Sequence, residues 1–161
     1  MTAACEALRL TVGGITTEAV ALLADHAAAR MVRLCVEHLP GRALADAAAT
    51  LAWLRRAGHA NLLLLLDVGH CLITREDAAA VVRDAGPLLG YVHLDDNDGT
   101  GDLHWPLLRG QLTDEDLRRL AAALRAIDYR GGMVLELNPH NASPEGALSD
   151  GRAIINRAFA A

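Results

Sequence analysis

Four residues that can bind a metal ion or move a proton each lie at or near the end of a short apolar run. They are Glu37, Asp67, His93 and Glu136. A set of carboxylates with one imidazole suits Mn²⁺, Zn²⁺, Co²⁺ or Mg²⁺ better than copper or a thiolate metal. Each residue alone also has an ordinary interpretation, since an acidic residue after a strand often forms a turn and a single histidine is often structural. Their shared position favours a common site.

Two local motifs add to this set. Asp67-Val68-Gly69-His70 places a second imidazole three residues after a carboxylate, and Gly69 permits a tight turn. The second motif runs from His93 to Gly99 and continues into Asp102-Leu103-His104, where alternation can direct the carboxylate and the imidazole to the same side. Its acidic run is also compatible with a solvated loop. A calcium loop is disfavoured because the EF-hand spacing is absent.

Short apolar runs alternate along the chain with alanine-rich amphipathic segments. The predicted strands are Leu8–Val12 (weak), Met31–Glu37, Leu62–Asp67, Gly90–Leu94 and Met133–Leu137. The predicted helices are Thr16–Arg30, Ala43–Ala57, Thr74–Ala85 with Thr74 as N-cap, Thr113–Ile127 and Ser143–Phe159. This alternation predicts right-handed βαβ units and a parallel sheet. Because the carboxyl ends of parallel strands meet at one edge, the four candidate ligands should converge there.

Composition limits the classes of protein that fit. Hydrophobic residues make up 52% of the 161 residues, which argues against disorder and allows one domain with a real core. The net charge of −5, from 15 basic and 20 acidic residues, disfavours a general nucleic-acid binder.

Cysteine usage and the chain's apolar runs indicate the compartment. Cys5, Cys35 and Cys71 form no CxxC pair, so neither a disulfide framework nor a zinc knuckle is expected. We expect a cytoplasmic protein with no signal peptide. The apolar run Leu62–Leu66 is too short to span a membrane.

Taken together, these motifs resemble the xylose-isomerase-like (β/α)₈ barrel superfamily of sugar phosphate isomerases and epimerases, which also includes endonuclease IV. The resemblance runs from about Thr17 to the end of the sequence and matches the second half of that barrel, whose complete form needs about 250 residues. It implies an α/β fold in which residues 1–161 form a single half-barrel domain. That domain is a partial TIM-type barrel with about four to five parallel strands alternating with helices. The residues that carry the resemblance are Glu37, Asp67-x-Gly-His70, His93-Leu-x-Asp96-Asn, Asp102-x-His104 and Glu136.

The resemblance also implies the chemistry of the site. A divalent metal would be held by Glu37, Asp67, His93 and Glu136. In the family's isomerases and epimerases the two glutamates also exchange protons with substrate carbons while the metal polarises the substrate oxygens, so an enediolate forms. Glu37 and Glu136 are therefore candidate catalytic residues.

Further site residues follow from the same resemblance and from the loop after the fourth predicted strand. His70 is a candidate catalytic residue that contacts substrate, and Asp102 and His104 match positions that bind an additional metal in endonuclease IV. Trp105 can cover the substrate or fasten its loop to the rim, and Arg109 can meet a phosphate or carboxylate or lie at the surface. His38 and His140 follow ligand-bearing strands, from which rim contacts are possible.

The sequence departs from the family in three respects. It lacks about three or four leading strands, with the endonuclease's histidines from that half and much of the substrate pocket. One glycine of the family's Gly-x-Gly turn is missing from Trp105–Gly110. An open half-barrel exposes its edge strands, so we expect a second copy or a complementary half-barrel chain as partner, with Leu8–Val12 pairing across the seam.

The leading hypothesis is a divalent-metal-dependent isomerase or epimerase of a small sugar, sugar phosphate or polyol. A metal-dependent dehydratase or lyase of the same superfamily shares the chemistry. A catalytically incomplete half-barrel that needs a partner is the alternative from a different class. Apurinic-site endonuclease activity is a weaker alternative, because of the charge and the absent histidines.

Overall fold

Five parallel strands form one sheet whose spatial order is the order of the chain. The computed structural model describes residues 7–10, 17–140 and 144–160. The strands are β1 (Ala7–Leu10), β2 (Arg33–Glu37), β3 (Leu62–Asp67), β4 (Leu89–Leu94) and β5 (Gly132–Leu135). The helices are α1 (Thr17–Ala28), α2 (Ala47–Ala57), α3 (Val68–Thr74), α4 (Ala78–Ala85), α5 (Asp114–Ala126) and α6 (Pro144–Ala160), with a 3₁₀ turn at Gly86–Leu88. The predicted α/β half-barrel is confirmed.

The central strands are buried on both faces, as their unbroken apolar sequences predict. Every residue of β3 is buried, with Leu62, Leu64 and Leu66 facing the helices. Leu63 and Leu65 belong to a second, smaller apolar cluster on the other face. Because side chains alternate along a strand, Asp67 lies on this second face at the carboxyl end of β3.

Local capping explains where several helices begin and end. The Asp46 side chain accepts the N–H of Ala49 at 2.6 Å, so α2 begins at Ala47 and not at the predicted Ala43. The helix ends at Gly58, whose φ of 61° is easily reached by glycine. Thr113 and Asp116 form a reciprocal capping box at the start of α5, as the predicted start at Thr113 anticipates.

The main difference from the predicted elements is α3, a short helix that directly follows β3. Thr74 was predicted to cap a helix reaching Ala85, and this is wrong: Thr74 is the last residue of α3, and Asp77 caps α4. The Thr74 hydroxyl donates back to the carbonyl of His70 at 3.0 Å. Arg75, with a φ of 60°, separates the two helices.

Other boundaries shift by a few residues. The strand β1 pairs with β2 in parallel, and positions 11 and 12 of the predicted Leu8–Val12 strand lie outside the described residues. The strand β5 ends at Leu135, so Glu136 immediately follows it. Cys35 and Cys71 are buried, while Cys5 is outside the described residues. None of the helices in the described part of the chain is both long and apolar enough to cross a membrane.

Candidate metal centre

The four predicted ligands meet at the carboxyl edge of the sheet. Glu37, Asp67, His93 and Glu136 each offer a ligand atom, and these atoms all lie within 4.8 Å of one another. His93 Nδ1 is 3.6 Å from Glu37 Oε1 and 3.7 Å from Asp67 Oδ2. The same nitrogen contacts Glu136 Oε2. Three carboxylates therefore surround one imidazole nitrogen.

Burial makes this concentration of negative charge costly without a cation. The side chains of Glu37 and Asp67 are fully enclosed, whereas that of Glu136 is 29% exposed and leaves the centre open on one side. Even a protonated His93 would leave a net charge of about −2 among the three carboxylates. Their oxygens with one imidazole nitrogen are a donor set that fits a divalent cation.

The charged groups of the centre shift one another's pKa values, which favours a positive charge, from a proton or a metal ion, next to the carboxylates. Burial alone would lower the pKa of His93, but the nearby carboxylates of Asp67 and Glu136 outweigh it and raise the pKa to about 9. Burial opposes ionisation of Asp67, yet His93, His70 and the N–H of His70 together lower the pKa of its carboxyl group. Each ionised group therefore depends on its neighbours.

The turn after β3 fixes the orientation of Asp67. Its Oδ1 accepts the N–H of His70 at 2.9 Å, which leaves Oδ2 facing His93. Gly69, predicted only to permit a tight turn, is required for another reason. A Cβ atom there would lie 2.4 Å from Oδ1 of Asp95, which accepts the Gly69 N–H at 2.9 Å. The glycine thus allows the carboxylate of Asp95, the residue that follows β4, to approach the backbone of α3.

A second cluster lies beside the first. Asp102 Oδ1 is 3.3 Å from His70 Nε2 and 3.2 Å from His104 Nε2, which brings together the predicted Asp102–His104 pair and His70. His104 Nδ1 lies 2.9 Å from Asp95 Oδ2. Asp67, Asp95 and His104 also offer ligand atoms within 4.8 Å of one another. The two clusters are therefore adjacent.

Charge pairing dominates the second cluster. Hydrogen bonds to Asp102 and Asp95 raise the pKa of His104 to about 10, and the same histidine with His70 holds the pKa of Asp102 well below its usual range. Burial raises the pKa of Asp95 to about 6, although His104 partly offsets this. Burial lowers the pKa of His70, but Asp102 and Asp67 outweigh that effect and raise it.

Asp95 was missed as a site residue by the sequence analysis, which treated it as part of an acidic run. It is fully buried, in contrast to the solvated loop considered for this segment. One signal was available, because Asp95 stands two positions after His93 and would share its face if the extended backbone continued one residue past the strand. His104 has a φ of 47°, an uncommon conformation for a non-glycine residue that accompanies its contacts with both aspartates.

His38 lies between the two clusters and is fully buried. Its Nε2 is 3.1 Å from the backbone nitrogen of Asp67, and its carbonyl oxygen is 2.7 Å from His70 Nδ1. Burial is the main cause that lowers the pKa of His38 to about 4. His140, which also follows a ligand-bearing strand, is exposed.

The predicted substrate-binding residues Trp105 and Arg109 lie away from the four ligands. Both line a cleft of about 780 Å³ between the rim loop and α6, and none of the four ligands lines it. The backbone of Trp105 forms two hydrogen bonds with that of Asp96, at 2.7 and 2.9 Å, which fasten the loop to the end of β4. A role for either residue in substrate binding remains a prediction.

The turn that lacks a family glycine keeps an unusual backbone. Leu108 adopts a φ of 63°, a region that glycine reaches most easily. Gly110 is retained, and a Cβ atom there would lie 2.1 Å from the carbonyl oxygen of Asn97. The turn therefore forms with a leucine in a left-handed position and a glycine at the point of closest approach.

Comparison with known proteins agrees with this fold. The family described as "Xylose isomerase-like TIM barrel" matches residues 16–158. Because the match spans most of the sequence, the chain belongs to this family.

Individual relatives in that family include ketose epimerases. A D-psicose 3-epimerase of Agrobacterium fabrum is 29% identical over 121 residues, which are 71% of this chain and 38% of the relative. An L-ribulose 3-epimerase of Methylomonas sp. is 34% identical over 90 residues, which are 53% of this chain and 27% of the relative. A solved structure of a D-allulose 3-epimerase from Methylomonas sp. with D-allulose has a TM-score of 0.64 and 27% identity, covering 89% of this chain and 50% of that one. The chain thus spans well under half the length of these curated relatives.

Proposed function

We propose that this chain supplies the metal-binding half of a divalent-metal-dependent sugar or sugar-phosphate isomerase or epimerase. The observation that carries the proposal is the convergence of Glu37, Asp67, His93 and Glu136 from four neighbouring strands. The activities for which the relatives are named, 3-epimerisation of D-psicose and of L-ribulose, support a small ketose as the class of substrate.

In this proposal Glu37, Asp67, His93 and Glu136 hold the ion. A bound Mn²⁺, Zn²⁺, Co²⁺ or Mg²⁺ supplies Lewis acidity to the carbonyl and hydroxyl oxygens of the sugar. In the proposed reaction Glu37 and Glu136 would lie on opposite faces of the substrate carbon. One, as a carboxylate, would remove the proton next to the carbonyl to give an enediolate, and the other, as a carboxylic acid, would donate its own proton to the opposite face to give the epimer.

The neighbouring residues have supporting roles in the proposal. The Nε2 atom of His70 faces the half-exposed Asp102, so we assign His70 to substrate hydroxyl groups that approach from that side. Asp102 and His104, which lie beside Asp95, are assigned to either a second metal site or a polar substrate subsite. Trp105 and Arg109 are assigned to the part of a substrate that extends into the cleft beside the rim.

A partner chain is also part of the proposal. In the described chain the sheet has β1 and β5 as its edges, and parallel strands with open edges tend to pair with further strands. Met133 and Val134 of β5 are 36% and 40% exposed, which leaves apolar surface at that edge. A second copy or a complementary half-barrel chain would cover it.

Titration with Mn²⁺ and measurement of bound metal test the centre. The wild type is expected to bind one ion at this centre, and Glu136→Gln to bind it at least about tenfold more weakly, because a ligand loses its charge. Glu115→Gln, which changes an exposed glutamate on α5, is the matched control and should bind as the wild type does. A wild type without stoichiometric metal would refute the proposed centre.

Proton exchange tests the reaction separately. In D₂O with Mn²⁺, D-psicose or L-ribulose should gain deuterium next to the carbonyl, and Glu37→Gln should abolish that gain. Formation of a dehydrated product would favour the dehydratase or lyase alternative. Metal binding without exchange in any sugar tested would favour the catalytically incomplete half-barrel. Cleavage of an abasic duplex would favour the endonuclease.

A further inference from the structure

We propose that His38 is a positioning residue that fixes the orientation of Asp67 and His70 and thereby joins the two carboxylate–histidine clusters. The expected effect on metal binding rests on the proposed function. The hydrogen bonds from which we infer the positioning role lie within this chain and do not depend on that function. His38 follows Glu37 at the end of β2, and its side chain is fully buried between the ends of β2 and β3.

The ring of His38 holds the backbone of Asp67. Its Nε2 lies 3.1 Å from the nitrogen of Asp67. A backbone N–H can only donate, so Nε2 must present a lone pair and the ring proton must be on Nδ1. The tautomer of His38 is therefore determined by the peptide group of a candidate metal ligand.

The carbonyl group of the same residue orients His70. His70 Nδ1 is 2.7 Å from the His38 oxygen, and because a carbonyl oxygen only accepts, Nδ1 must carry a proton. This leaves Nε2 of His70 directed toward Asp102 Oδ1, 3.3 Å away. The two rings also contact edge to face, with centroids 5.5 Å apart and an interplanar angle of 87°.

These contacts have a consequence for metal binding. A ligand binds tightly when groups behind it hold its orientation, and their loss commonly weakens binding about ten- to a hundredfold. The Asp67 side chain is already held by the His70 N–H, so movement of either backbone segment displaces Oδ2 from the centre. His38 is the residue that holds both segments in place.

Three variants separate positioning from simple packing. His38→Leu replaces the imidazole with an apolar side chain of similar size and so removes the Nε2 acceptor. His38→Gln can instead place an amide oxygen near the position of Nε2. Leu120→Ala, on α5, is the control for lost stability, since it removes a buried side chain far along the chain from the centre. Each is compared with the wild type as the full chain.

The first measurement is Mn²⁺ affinity by calorimetry. His38→Leu should bind about ten- to a hundredfold more weakly, and His38→Gln should recover to within about threefold of the wild type. Leu120→Ala should keep its affinity at a temperature where it is folded. Wild-type affinity in His38→Leu, or equal weakening in the leucine and glutamine variants, would overturn the inference.

The second measurement needs no metal, so its result does not depend on whether the proposed function is correct. Hydrogen exchange of the Asp67 amide in the metal-free protein should be at least about tenfold faster in His38→Leu than in Leu120→Ala under conditions of equal global stability, because the amide has lost its acceptor. His38→Gln should restore slow exchange. Equal Asp67 exchange in His38→Leu and Leu120→Ala would show that the ring does not hold this peptide group.

Discussion

At the scale of single residues, a proton and the proposed metal ion would compete for His93 Nδ1. This nitrogen faces Glu37, Asp67 and Glu136, and the carboxylates of Asp67 and Glu136 raise the pKa of His93 to about 9 in the metal-free chain. A metal ligand must be deprotonated, so binding has to displace any proton held there. The protonation state of His93 therefore links metal affinity to pH.

We predict that metal binding near pH 7 releases about one proton per ion. His93 is mostly protonated at that pH because its pKa is raised to about 9, so apparent affinity should increase with pH up to about 9 and then level off. Calorimetry of Zn²⁺ binding in buffers with different ionisation enthalpies measures the release. His93→Gln is the matched variant and should release much less, whereas equal release would place the displaced proton on another group.

Gly69 offers a second residue-scale prediction. Gly69→Ala should reduce the free energy of unfolding by about 1–3 kcal/mol, because its Cβ would overlap the Asp95 carboxylate and displace it from His104. Gly146→Ala is the control, since a Cβ there meets nothing within 4 Å and alanine favours the helix. Urea denaturation compares them. If both variants are as stable as the wild type, the close approach of Asp95 is not a real constraint.

At the scale of elements, the rim loop between β4 and α5 is held by one buried carboxylate. Asp96 Oδ1 accepts the N–H groups of Asn97 and Leu112, at 2.8 and 3.0 Å, and Oδ2 accepts that of Gly110 at 2.7 Å. These contacts join the start of the loop to its end. Because the loop carries Asp102 and His104, Asp96 also supports the second cluster.

Asp96→Ala should therefore loosen the loop and lower the free energy of unfolding by at least about 2 kcal/mol, because three backbone donors lose a charged acceptor. Asp98→Ala should change stability by less than about 0.5 kcal/mol, since that carboxylate accepts hydrogen bonds from the nearby exposed Thr100. Limited proteolysis within residues 97–112 provides the measurement. Equal protection of the two variants would contradict this role of Asp96.

The elements that the sequence predicts well are those specified by local pattern. Leu62–Asp67 was predicted with its observed ends because its apolar run is unbroken and ends in a capping aspartate. The sequence pattern does not indicate α3, because the helix is only seven residues long and its N-cap, Asp67, is also the last residue of β3. The convergence of the four candidate ligands could be predicted because the carboxyl ends of parallel strands meet at one edge, which follows from the order of the elements alone.

The contacts that the sequence could not predict are made between distant segments. Asp95 reaches Gly69 and His104, and His38 reaches Asp67, so their positions depend on how β2, β3, β4 and the rim loop pack together. Composition and periodicity describe one segment at a time. Such residues therefore become recognisable only when the tertiary structure places them next to the predicted ligands.

At the scale of the whole molecule, the open edges of the sheet predict association. The wild type should sediment as more than one chain at micromolar concentration, since pairing would cover β5. Met133→Lys, at that edge, should shift the mass toward a single chain, whereas Leu22→Lys, which changes an exposed residue of α1, should not. A folded wild-type monomer at all concentrations tested by sedimentation equilibrium would contradict this prediction.

The order of the strands would also affect how quickly the proposed metal centre exchanges a bound ion. Glu37, Asp67 and His93 belong to strands with a neighbour on each side, but Glu136 follows the edge strand β5. Edge segments open locally at lower free energy than central ones, so we expect the amides of β5 to exchange with solvent faster than those of β3. Each opening of β5 would remove one ligand while three remain. The residence time of a bound ion would then depend on the opening rate of β5, with the rest of the sheet still folded.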